Sequence, residues 1–109
     1  MHMPPFPFTM TDWSQVPATV HPGEQGQALW RTLTFGDIRV RVVEYSAGYK
    51  ADHWCSKGHV LYVLEGELHT ELADGRTVVM TAGCSYQVGD NAEAHRSTTS
   101  GGARLLIVD

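Results

Sequence analysis

The sequence predicts an all-β domain, a sandwich or barrel of jelly-roll type, on three observations. Apolar and polar residues alternate at period two in short runs, turn residues separate those runs at short intervals, and no stretch carries the longer periodicity of a helix. About eight or nine runs of four to eight residues fit one small closed or double-layered sheet. A chain of 109 residues makes one domain, burying roughly two-thirds of the surface its extended form exposes.

The elements follow in order. Residues 1–22 hold all five prolines, Pro4, Pro5, Pro7, Pro17 and Pro22. Proline fixes φ and lacks an N–H, which excludes a central strand or a helix interior. The segment reads as an extended Pro-rich N-terminal arm pinned to the body by Phe6, Phe8 and Trp13, with Thr11-Asp12 able to cap one short turn. Residues 23–109 form the β domain. Within it Leu29 to Phe35 is a strand and Gly36-Asp37 a turn. Ile38 to Tyr45 alternates, with Ile38, Val40 and Val42 on one side and Arg39 and Arg41 on the other, the arginines reading as a solvated face. His59 to Leu64 is a buried strand, and Glu65-Gly66 turns into Glu67 to Leu72. Ala73-Asp74-Gly75 makes a hairpin turn, because Asp-Gly supplies positive φ at low cost. Thr77 to Met80, Ser85 to Val88, His95 to Thr99 and Arg104 to Val108 complete the set, with a polar loop over Gly89 to Glu93.

Composition narrows the function. Eight Lys and Arg against twelve Asp and Glu give a net charge of −4. No cluster of basic residues exists to grip phosphates, so nucleic acid is not an expected partner. No apolar run spans a membrane, and the start (MHMPPFPF) lacks the basic flank and hydrophobic stretch of a signal peptide. The two cysteines, Cys55 and Cys84, make no disulfide framework, which points to a reducing, cytoplasmic setting. Cys84, between Gly83 and Ser85, reads as packing.

Four residues carry the chemistry: His53, Cys55, His59 and His95. On a strand, His53 and Cys55 share one face. Ser56-Lys57-Gly58 breaks the chain and His59 opens the next strand, so a strand–turn–strand unit aims three groups at one point. His95 opens another strand that a barrel brings opposite. Imidazole and thiolate suit borderline and soft divalent metals, favouring zinc, nickel, cobalt or copper over magnesium and calcium. Glu44, Tyr62 and Tyr86 are candidate pocket residues. Trp30 and Trp54 read as core or interface aromatics.

The stretches Gly48–Gly66 and Gly83–His95 resemble the two motifs of the cupin superfamily. The first runs His-x-His, then Glu, then Gly, matched in spacing by His53, Cys55, His59 and Gly66. The second supplies a late His, matched by His95. More narrowly, Asp52-His53-Trp54-Cys55 is similar to the signature of the DHCW-motif cupin group. Cys55 stands where the family has its second His, and His59 where it has Glu. The exchange still leaves one anionic ligand, which implies that the site keeps a divalent cation. The resemblance implies a jelly-roll β-barrel over about residues 35–108, a homodimer, and a transition metal, zinc first with nickel or iron as alternatives.

Three functions compete. Four protein ligands would close a zinc site and make a structural or small-ligand-binding module; an open position would make a metal-dependent enzyme acting on a small polar molecule at the barrel mouth. In the third, Cys55 is a nucleophile with His53 or His59 as its base.

Overall fold

The computed structural model describes residues 2–109, leaving Met1 of the arm outside the described residues. Eight strands follow one single-turn 3-10 helix at Trp13–Gln15, which Asp12 caps by accepting a bond from the Ser14 amide. They are β1 (Thr19–Pro22), β2 (Gln27–Phe35), β3 (Ile38–Tyr45), β4 (His59–Leu72), β5 (Thr77–Thr81), β6 (Ser85–Val88), β7 (His95–Thr98) and β8 (Ala103–Val108). All pairings are antiparallel. No helix among the described residues is long and apolar enough to cross a membrane.

Strand β4 organises the molecule. The sequence suggests two strands divided by a turn at Glu65-Gly66; the chain instead runs through as one strand of 14 residues. Its first half lies between β8 and β6, its second half between β5 and β7. The register against β8 shifts between Val63 and Glu65. This bulge lets one strand serve two sheets. Gly66 makes it feasible: its φ is +82°, and a Cβ there would stand 2.2 Å from the Gly102 carbonyl oxygen. The Asp74-Gly75 hairpin forms as expected, with the Gly75 amide donating to the Leu72 carbonyl at 3.0 Å.

The first sheet runs β1-β2-β3-β8-β4, and the strand path then ends at β5. The jelly-roll barrel expected from sequence is therefore not closed by a continuous ladder. Residues 46–58 hold no strand, and isolated bridges alone occur there: Lys50 with Gln25 and Thr98, and Cys55 with His95. The last four residues of the expected arm form β1, an edge strand on β2, a place where proline's missing N–H costs no ladder bond. Of the three aromatics expected to pin the arm, Phe6 packs on Phe35 (centroids 5.2 Å apart) and Trp13 is half-buried. Phe8 is fully exposed and pins nothing.

The core lies between the sheets. Leu68, Leu105, Val43 and Val63 are its largest fully buried side chains, each contributing about 1.5–3 kcal/mol by leaving water. Period two then assigns the faces. Val43 points inward, so Arg41 and Arg39 share its face, and Arg41 is only 6% exposed. The arginines therefore do not form a solvated face. They point into the space between the sheets, because each has a buried carboxylate to meet there.

Candidate metal centre

Cys55, His59 and His95 each offer one ligand atom, and the three atoms lie within 4.8 Å of one another. Three elements deliver them. His59 opens β4 and His95 opens β7. Cys55 has no strand of its own but is tied to His95 by two backbone bonds, its amide donating to the His95 carbonyl at 2.8 Å and the His95 amide donating back at 2.9 Å. The loop after β6 steadies the same segment. The Asp90 carboxylate accepts from the Gly58 amide at 2.7 Å, and the Asn91 amide donates to the Ser56 carbonyl at 2.8 Å.

Nδ1 of His95 donates to the Glu93 carbonyl oxygen at 2.9 Å, which orients that ring. Nδ1 of His59 is buried without a hydrogen-bond partner, with Asp109 Oδ2 at 3.5 Å. The two Nε2 atoms stand 3.1 Å apart, within hydrogen-bond distance, and the Tyr86 hydroxyl lies 2.9 Å from Nε2 of His59. Burial, followed by the His95 charge, pushes the His59 imidazole down to about 4, so it is neutral at pH 7. Burial also pushes the Tyr86 phenol well above its usual value and keeps its proton in place.

Behind His59 stands Asp109, its side chain 1% exposed. Arg39 donates to it twice, at 2.8 and 3.0 Å, and Arg41 once at 3.0 Å. Burial alone would raise its carboxyl; the Arg39 bonds and both guanidinium charges outweigh that and hold it below the usual range.

His53 does not converge with the other three. The backbone bends at Asp52-His53, so the strand alternation that would align it with Cys55 is absent. Its side chain is 77% exposed and its Nδ1 lies 2.6 Å from Asp52 Oδ1, at the rim of the same pocket. Of the candidate pocket residues, Tyr86 lines the pocket and the other two do not. Tyr62 alternates with inward Leu61 and Val63 and faces out; Glu44 alternates with Val43 and meets Arg31 and Arg104, both at 3.7 Å. Cys84, expected in packing, is exposed, and both cysteines are free thiols. Trp30 packs on the core beneath the Arg41 guanidinium, 4.6 Å from its ring centroid. Asp109 and the inward turn of Arg41 were not legible from motif spacing. Parity along β8 could have shown the first, since Leu105, Ile107 and Asp109 share one face.

The cluster fits a divalent ion. Ligand atoms sharing a tetrahedral zinc lie about 3.3–3.8 Å apart, given bond lengths of roughly 2.0–2.3 Å. The 3.1 Å between the two Nε2 atoms and the 4.8 Å bound on the whole group lie on either side of that range. The pocket on which the three residues open has a volume of about 230 Å³.

An open-ended pair of antiparallel sheets sharing one long strand, with histidines aimed between them, is the architecture of the cupins. No protein-family model matches the sequence, and no curated protein matches it. Solved structures do. An RmlC-like cupin from Shewanella frigidimarina is 21% identical, with a TM-score of 0.76 over 94% of this chain and 89% of its own. A predicted oxalate decarboxylase from Thermotoga maritima is 16% identical, with a TM-score of 0.78 over 92% and 96%. Iron(II)-bound HppE with the alternative substrate (S)-1-HPP is 18% identical, with a TM-score of 0.76 over 94% of this chain and 60% of its own. The chain has the cupin fold.

Proposed function

We propose that the chain is a metal-dependent enzyme acting on a small polar molecule, with Cys55, His59 and His95 as metal ligands. One observation carries this reading: Cys55, His59 and His95 each bring one ligand atom to within 4.8 Å of the others, the two imidazole Nε2 atoms 3.1 Å apart, on the wall of a pocket. Two imidazoles and a thiolate favour zinc over magnesium or calcium; nickel and iron are the alternatives a metal analysis distinguishes. Three protein ligands leave a coordination position free, the arrangement of catalytic rather than structural zinc. His53 at the rim is not needed as a fourth.

A metal held there supplies Lewis-acid polarisation of a substrate oxygen or acidification of a bound water. The chain's residues do the rest. Asp109, clamped by two arginines, stands 3.5 Å behind the His59 ring as a carboxylate that would support it as a ligand. Tyr86 keeps its proton and presents a neutral hydroxyl donor at the pocket wall. Tyr45, Tyr49 and Leu61 give the pocket apolar sides that limit water. Two of the structural neighbours carry enzyme names or an iron ion, which supports the same reading.

Metal analysis of untagged protein tests it: about one equivalent per chain is expected, and none after growth in metal-supplemented medium overturns it. Cobalt-substituted protein separates enzyme from closed module, since an absorption spectrum that shifts on adding azide requires an open position. The finer assignments are proposals on the same footing. Asp52-His53-Trp54-Cys55 supports the DHCW-motif group, and the isolated bridges at Lys50 and Cys55 support a jelly roll. Exposed Val60 and Tyr62 on the outer face of β4, with exposed Phe8 in the arm, support a homodimer.

A further inference from the structure

The chain carries a net charge of −4, yet the wall of this pocket is positive. Of its eight Lys and Arg residues, four line the pocket: Arg39, Arg41, Lys57 and Arg96. Of its twelve Asp and Glu residues, Asp109 alone does so. Arg39 and Arg41 share that one carboxylate. Arg96 lies over the Trp54 ring and reaches Glu71, outside the pocket, at 3.4 Å. Lys57 makes no ion pair among the described residues. Positive charge gathered in a cleft with low-dielectric walls draws anions from solution.

Arg41 marks where the anion would sit. It is 94% buried by its 6% exposure, its Nη2 donates to Asp109, and its buried Nε has no hydrogen-bond partner. A buried charged donor without an acceptor is costly, and a ligand oxygen would relieve it. Burial and the neighbouring Arg39 charge both push the Arg41 guanidinium down, as expected of a cation short of counter-charge. Its planar fork suits a planar carboxylate. Phosphate sites are commonly built from cradles of successive backbone amides, often glycine-rich; no glycine lines this pocket. Around the fork stand Trp30, Tyr45, Tyr49, Leu61 and Ile107. The volume of about 230 Å³ is below the ~300 Å³ at which ordinary small-molecule pockets begin.

We propose that the pocket takes a small carboxylate, its charged end on Arg41 and its apolar body against the tyrosines, beside the Cys55–His59–His95 cluster. The proposal rests on the reading of this pocket as the substrate site and names the class of substrate. The metal and Arg41 then hold two different parts of one ligand.

The test titrates benzoate, its neutral isostere benzamide, acetate and inorganic phosphate into the full chain, followed by calorimetry and by the fluorescence of Trp30 under Arg41. Both chelator-dialysed and zinc-loaded protein are used. Benzoate should bind both forms at least about tenfold more tightly than benzamide. Arg41→Gln should weaken benzoate by about tenfold to a hundredfold in the chelator-dialysed protein, where no metal enters the comparison. Lys57→Glu, at an exposed position that folding does not depend on, should weaken it severalfold and flatten its salt dependence. Equal binding of benzoate and benzamide, no binding of either, or tighter binding of phosphate than of carboxylates overturns the proposal. Any of these in protein holding one metal per chain leaves the metal reading standing. Benzoate binding in a chain that never holds metal sinks the metal reading and keeps the anion site.

Discussion

Cys55 and His95 exchange both of their backbone hydrogen bonds, at 2.8 and 2.9 Å, although thirty-nine residues of chain, including all of β4 to β6, lie between them. The bridge joins a segment with no strand of its own to the first residue of β7. It sets the thiol and the imidazole as cross-strand neighbours, and His59 completes the group from β4. The proposed metal chemistry depends on this pairing.

Cys55→Ala should lose most bound metal, because Cys55 is the one anionic ligand of the three and two neutral imidazoles hold a divalent cation weakly. His53→Ala should retain it. Metal content of both variants by elemental analysis checks the pair. Loss in His53→Ala would return that residue to the ligand set.

Metal-free protein should lose stability as pH falls from about 6.5 toward 4. Burial, then the His95 charge, depresses the folded His59 from its ordinary value of 6.5 to about 4. The unfolded chain therefore binds a proton at higher pH than the folded one. The contribution is whole above the unfolded value and is lost as pH drops through the folded one. Urea unfolding across this range should show a falling midpoint; a flat profile would place His59 in solvent.

Asp109→Ala should destabilise the fold by about 3 kcal/mol, the scale for removing one partner of a buried ion pair. Arg41 would be left buried and without its carboxylate. Backbone bonds between Arg39 and Asp109, both 2.9 Å, keep the strand end in place, so the loss reflects the side chain. Denaturant unfolding measures it, and the same variant should hold metal less tightly, by about 10–100-fold.

Full-length protein should elute from gel filtration as a dimer. Tyr62→Glu, on an exposed outward face, should shift it to monomer without changing its far-UV circular dichroism. A chain starting at residue 19 keeps β1 and should stay folded; one starting at residue 23 loses that edge strand and its pairing with β2.

Particular residues show what could be read in advance. Ile38 to Tyr45 reads as a strand from alternation alone, and it is one. Ile38 and Val42 on its apolar face are buried, but so is Arg41 on the other, which alternation did not show because Arg41's partner Asp109 lies 68 residues away. Gly66 announces a special backbone position, but the same positive φ serves a turn or a bulge. Its closeness to Gly102 selects the bulge. His59 and His95 stand out by spacing. His53 does too, yet a bend at Asp52-His53 turns it to the rim.

The sequence by itself determined the all-β class, most strand positions, the hairpin at Asp74-Gly75 and the residue types able to bind a metal. These rest on local alternation and turn chemistry, which a few neighbouring residues specify. The tertiary structure decided that one strand serves two sheets, that Arg41 and Asp109 face the pocket, and that three ligand candidates meet while a fourth does not. Those outcomes depend on contacts between residues far apart in the chain, where burial and charge pairing choose among faces that local pattern leaves equivalent.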